Sequence, residues 1–255
     1  MRRILISFLA IGVFVGPAVA ESVTGCSIRA GKVDQDLAFT LNNGNCSTDH
    51  QCDENNSSMA WSRWTGIVPA DLSREGAAID ARMKADAGEM RCKGTVHGAA
   101  MRGTFSFAPD LEFAKRMNAM GFDQQTPKQL LDYALIDVTT AWVMDMKSAG
   151  VQGMTAQNLM GLRALGVDRA FVNEMAAAGY SELRSEKLTS MKAVGVSPEK
   201  VHAIRAMGYS PTEDELIEMS VFKIDAPFVN RMKARGFPNL TISQLVKIKV
   251  FKLDE

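Results

Sequence analysis

After its first two dozen residues the chain has no apolar run approaching the roughly 20 residues that a membrane-spanning helix needs. It has no His-Glu-x-x-His, so a zinc peptidase of that type is excluded. It also lacks a Gly-x-Ser-x-Gly elbow, a phosphate loop and a dinucleotide fingerprint, which leaves the common hydrolase and nucleotide-handling classes without their machinery. Thr126, Thr139, Thr155, Ser197, Thr212 and Thr241 stand where helices are expected to begin, a capping use and not a nucleophile's. The 29 basic and 29 acidic side chains are interspersed, so no basic stripe exists to neutralise phosphates, and nucleic acid is not an expected partner. Cysteine stops at Cys92, and only three histidines occur.

The chain opens with Arg2 and Arg3, an apolar run from Ile4 to Val15, and the small-residue pattern Ala18-Val19-Ala20. This predicts a secretory signal peptide over residues 1–20 and an exported, periplasmic or secreted protein without a transmembrane segment. Val23-Thr24-Gly25-Cys26 also reads as a lipobox, which would anchor the protein through a lipidated Cys26. Against that, Glu21 and Ser22 interrupt the apolar run, and lipidation would leave three cysteines. Plain cleavage leaves Cys26, Cys46, Cys52 and Cys92, enough for two disulfides in one of three pairings.

The chain changes character near Phe107-Ala108-Pro109-Asp110. Residues 21–109 carry all four cysteines and short alternating runs, and read as a small disulfide-linked antiparallel β domain. Strands are expected at Asp36–Leu41 and Met59–Trp64, and a hairpin at Met90–Val96 and Met101–Phe107 around a turn that holds His97. Ala77–Met83 suits a helix or an edge strand; the strand is favoured because the following hairpin would then extend one antiparallel sheet.

From residue 110 to 255 the dominant signal is repetition. Gly150, Gly166, Gly179, Gly195, Gly208 and Gly236 fall at alternating spacings of 16 and 13, with one site, Lys223, skipped; Gly121 and Lys252 extend the series. The period is 29 residues. Eleven positions before the Gly of each shorter half stand Asp110, Thr139, Asp168, Ser197 and Asp225, whose side-chain oxygens suit a helix N-cap. Phe113, Trp142, Phe171 and Phe228, with Met117, Met146, Met175 and Met232 four residues on and Ile204 at the matching place in the fourth unit, make one apolar stripe. The longer halves have caps at Thr126, Thr155, Thr212 and Thr241, three of them in capping boxes with Gln129, Glu215 and Gln244. Arg184 breaks that series. Leucine recurs at positions 130, 159, 188, 216 and 245. The expected class is therefore α+β: the β domain, then five helical hairpins in an all-α, solenoid-like array, because ten-residue helices need neighbours to bury their stripes.

"ADAGEMRCKGTVHGAAMRGTFSFAPDLEFAKRMNAMGF", Ala85 to Phe122, together with Leu159-x-x-Leu162-Arg163-x-x-Gly166-Val167 and Phe228-Val229-x-x-Met232-Lys233-x-x-Gly236-Phe237, resembles a bacterial envelope module. That module is found appended to membrane metallopeptidases similar to BlaR/MecR antirepressors. The resemblance implies a fold and an envelope setting; with the peptidase signature absent it implies no proteolysis.

Three readings of function follow. The first is a non-catalytic binding or scaffold protein of the cell envelope, with a protein or envelope component as partner and no cofactor. On this reading the binding surface is sought at Trp61, Trp64, Met144 and Met160: the first two lie in a short strand, and the last two are methionines off the buried stripe. The second is a sensory or regulatory module acting with a membrane receptor. The third is a zinc-dependent enzyme built on Cys46, His50 and Cys52, with Cys92 as a fourth ligand; disulfides and a solvated histidine are the simpler account of those residues. His202 falls beside the stripe at a position of mixed type, as a solvent-edge residue does.

Overall fold

A computed structural model describes residues 25–42 and 54–253. Seven strands occur among the described residues, β1 (Gly25–Ala30), β2 (Asp36–Asn42), β3 (Glu54–Ala60), β4 (Trp64–Thr65), β5 (Ala78–Ala85), β6 (Gly88–His97) and β7 (Ala100–Pro109). They form one antiparallel sheet in the order β3-β2-β1-β7-β6-β5-β4. Alternation specifies the inner face: Leu37, Phe39 and Leu41 are buried on β2, and Met101, Phe105 and Phe107 on β7, while Arg102, Thr104 and Ser106 face out. The hairpin across His97–Ala100 forms as expected, and Ala78–Ala85 is a strand.

The sheet must curl. β3 and β4 sit at its opposite edges, yet only Trp61–Arg63 separates them. Four Cα steps cover at most about 15 Å, whereas the edges of a flat seven-stranded sheet lie roughly 29 Å apart. The rings agree: Phe39 on β2 is 5.0 Å from Trp64 on β4 and 6.0 Å from Phe105 on β7. Gly94 on β6 and Gly103 on β7 face each other, and a Cβ on either would stand 2.0 Å or less from the partner strand's carbonyl oxygen. Only glycine permits that approach. Cys26 on β1 and Cys92 on β6 are joined by a disulfide, their Cα atoms 6.0 Å apart although β7 lies between their strands.

The curl corrects one expectation. Met59–Trp64 is not a single strand: β3 ends at Ala60, a 3-10 turn takes Trp61–Arg63, and Trp64 starts β4. The chain has to leave one edge and join the other, so it turns where a straight strand would continue.

Among the described residues ten helices follow: α1 (Leu111–Ala119), α2 (Pro127–Ile136), α3 (Thr140–Ser148), α4 (Ala156–Ala164), α5 (Arg169–Ala177), α6 (Ser185–Ala193), α7 (Pro198–Ala206), α8 (Glu213–Val221), α9 (Ala226–Ala234) and α10 (Ile242–Val250). Nine have the predicted cap, the side chains of Asp110, Thr126, Thr139, Thr155, Asp168, Ser197, Thr212, Asp225 and Thr241 each accepting from the N–H three residues on. Thr155 and Asn158 make a fourth capping box, with asparagine in place of the usual Glu or Gln. α6 starts at Ser185 with no side-chain cap from Arg184. The helix ends are left-handed at the repeat glycines, and also at Asp137, Lys223 and Lys252, with φ of 62°, 52° and 52°. Phe113, Met117, Met146, Met175, Ile204, Phe228 and Met232 are all buried, as are the five leucines.

The helices run as two rows of neighbours, α1, α3, α5 and α7 in one and α2, α4, α6, α8 and α10 in the other. α2 also lies against β6 and β7, so the sheet covers the first hairpin. No helix among the described residues is long and apolar enough to cross a membrane.

Candidate interaction surface

The junction between sheet and helices is held by charge. Arg63, from the turn between β3 and β4, donates to the carbonyls of Ala134 (3.1 Å) and Leu135 (3.4 Å) and to Asp137 Oδ1 (3.3 Å), closing the C-terminus of α2. Arg163 on α4 donates to the carbonyl of Asp137 and to its Oδ2, both at 2.9 Å. Asp86 Oδ2 accepts from the N–H and Oγ1 of Thr140 at 3.2 and 3.3 Å. A cleft lined by Lys84, Asp86, Asp110, Arg116 and Asp137 opens here, but its three carboxylates already serve Thr140, the cap of α1 and the two arginines. It braces the joint. On the sheet's outer face Asp80 is held below the usual carboxylate range, first by its bond to Arg91 and then by Arg82. Glu75 is lowered mainly by its 2.8 Å bond to His97. These are surface contacts between polar side chains, worth little to stability.

Of the four residues named from sequence as a binding surface, the structure leaves one free. Trp64 is 5% exposed, against Phe39 in the core. Trp61 and Met160 are half-buried and packed on the same core. Both tryptophans pack on the core, Trp64 within it and Trp61 at its margin, in place of the two opposite faces of a straight strand. Met144, 59% exposed, stays in solvent on α3. His202 is exposed on α7.

Cys46, His50 and Cys52 lie outside the described residues. The disulfide nevertheless bears on them: Cys92, the fourth ligand of the zinc reading, is bonded to Cys26, and a sulfur in that bond is no thiolate ligand. It also removes the lipid-anchor reading, since the Sγ of Cys26 cannot carry a thioether as well. Of the three pairings of four cysteines, only Cys46 with Cys52 remains for a second bridge. Among the described residues no group of three His, Cys, Asp or Glu is placed to hold a metal.

The open surface lies at the far end of the helices. The apolar residue after each helix-ending glycine folds inward in the earlier hairpins: Phe122, Val151, Val167, Tyr180 and Val196 are all buried. The hydroxyls of Tyr180 and Tyr209 reach 31 residues on, to the carbonyls of Pro211 (2.6 Å) and Leu240 (3.0 Å) in the next hairpin. In the last hairpin the equivalents are in solvent, Phe237 at 55% and Leu253 at 66%, beside Phe251 at 67% and Val250. Residues 226–253 carry Arg231, Lys233, Arg235, Lys247, Lys249 and Lys252 and no acidic residue. Arg231 and Lys249 lie over the ring of Phe228. The last unit repeats the apolar pattern of the others, so in the sequence only its excess of basic over acidic residues sets it apart.

No known protein family matches this chain, and no curated protein or solved structure matches it.

Proposed function

We propose that the chain is an exported, non-catalytic binding protein of the bacterial cell envelope, built as a β domain to residue 109 and a solenoid-like array of five helical hairpins beyond it. The two rows of neighbouring helices carry this reading. Each hairpin buries its stripe against the next, so successive outer faces add into one extended surface, the form repeat proteins use to hold partners. The cap and glycine periodicity supports it, as does the likeness of Leu159–Val167 and Phe228–Phe237 to the envelope module's repeats. The disulfide is compatible with an oxidising compartment. Crosslinking in intact cells, with the reactive group placed at Met144 and then at the solvent-facing His202, tests the proposal. The expected result is the same envelope component recovered repeatedly from one or both positions. Recovery of nothing above a chain crosslinked on the sheet face, at Arg102, would refute it.

A further inference from the structure

Every hairpin before the last has its post-glycine residues sheltered or half-sheltered, and the Tyr180 and Tyr209 hydroxyls show that the following hairpin supplies the cover. Phe237 and Leu253 occupy the same places in the period without such cover among the described residues. A second copy fits poorly. The opposite end of the array is taken by the sheet, against which α2 packs, so a head-to-tail contact is closed. Joining two copies end to end would set six basic side chains against six. The preceding stretch, 197–225, has six acidic and three basic residues, so the positive charge belongs to the last hairpin alone.

Apolar side chains set among predominantly basic charge, six Lys and Arg between Asp225 and the Asp254-Glu255 pair, match an anionic lipid interface. The apolar groups enter the boundary between headgroups and acyl chains, and the Lys and Arg stems lie along it with their charges at the phosphates. We propose that α9, α10 and their flanking turns dock on an anionic phospholipid surface. Phe237, Phe251 and Leu253 supply the apolar contact, and Lys233, Arg235, Lys247 and Lys252 the charge. The proposal rests on the preceding reading only in placing the binding surface on the helical hairpins.

Flotation of the purified chain with vesicles of phosphatidylcholine, with and without phosphatidylglycerol, tests it. Binding should require phosphatidylglycerol and weaken as salt is raised. Lys247→Glu with Lys252→Glu should lower partitioning by at least roughly thirtyfold, from the free energy each basic residue gains near an anionic surface. Phe237→Ser with Phe251→Ser should weaken binding as well, and both pairs should leave the melting transition in place because the side chains are exposed. Equal binding to phosphatidylcholine alone, or no flotation on either vesicle, overturns the proposal. So does a dimer in sedimentation that the Phe237→Ser pair disperses, which would assign the surface to a second copy. An acidic protein crosslinked through position 237, without vesicle binding, would also overturn it while leaving the envelope-binding reading intact.

Discussion

Lys223 and Lys252 show what the repeat demands of a single residue. Each stands at a helix end where α4 and α6 have Gly166 and Gly195, and each adopts the left-handed backbone, φ 52°, that a side chain disfavours. Lys223→Gly should therefore raise stability by about 0.5–1 kcal/mol, read as a shift of the urea midpoint. In the mirror change, Gly195→Val at φ 71°, the new Cβ enters open space, and the left-handed backbone alone costs about 1–2 kcal/mol. His202→Ala, a solvent residue on the next helix, should be near neutral, and a larger loss from it than from Gly195→Val would contradict the repeat. Asp137 takes the same backbone but is held by Arg63 and Arg163, so there the strained residue has a second use. Tyr133 is a different case. It is fully buried, its hydroxyl donates to the carbonyl of Ala156 at 2.6 Å, and burial pushes its pKa up to about 12 from the ordinary 10.0. The folded state thus favours the neutral phenol. Its contribution is whole below pH 10, where both states are protonated, and falls as pH rises from about 10 to about 12, because the unfolded chain ionises first. Tyr133→Phe should flatten the fall of stability across that window in denaturant titrations at graded pH.

At the scale of the element, capping decides where helices begin. α6 alone among the ten helices starts without a side-chain cap or an Asp, Ser or Thr to supply one. Arg184→Thr should restore the pattern of its neighbours and stabilise by about 1 kcal/mol, seen as a higher melting temperature. The ion pair lost with Glu186 is exposed and worth little beside the new cap. No gain from this change would mean that the backbone there is fixed by the bridge between Gln152 and Arg184 and not by the helix start. The helices were legible because capping and stripe are local: each cap bonds three residues away, and each stripe recurs within a turn. Met59–Trp64 was misread because its composition suits a strand, while the break at Trp61 depends on where the sheet's far edge lies. β1 carries only Cys26 and Ile28 as buried residues in six, too short an alternation to announce itself.

At the scale of the whole molecule, Cys26–Cys92 ties β1 to β6 across β7, the two cysteines 66 positions apart in the sequence. Loop closure of that length is worth about 4 kcal/mol at most in the chain-entropy account. Reduction, or Cys26→Ala with Cys92→Ala, should lower the unfolding midpoint sharply, and an unchanged midpoint would show that the curled sheet is held by its core alone. The curl places Trp64 on Phe39 and brings Arg63 to the end of α2, so one tryptophan expected at a binding surface became core and an unremarked arginine became the joint. None of this is a property of neighbouring residues; it follows from which strands lie at the two edges. The sequence by itself determined the helices, their caps, their spacing and the change from strands to helices near Pro109, because those rest on interactions within a few residues. Only the tertiary structure decided which cysteines pair, which aromatic side chains are spent on the core, and that the last hairpin's Phe237 and Leu253 stand in solvent, because burial depends on a neighbour that identical local patterns do not reveal.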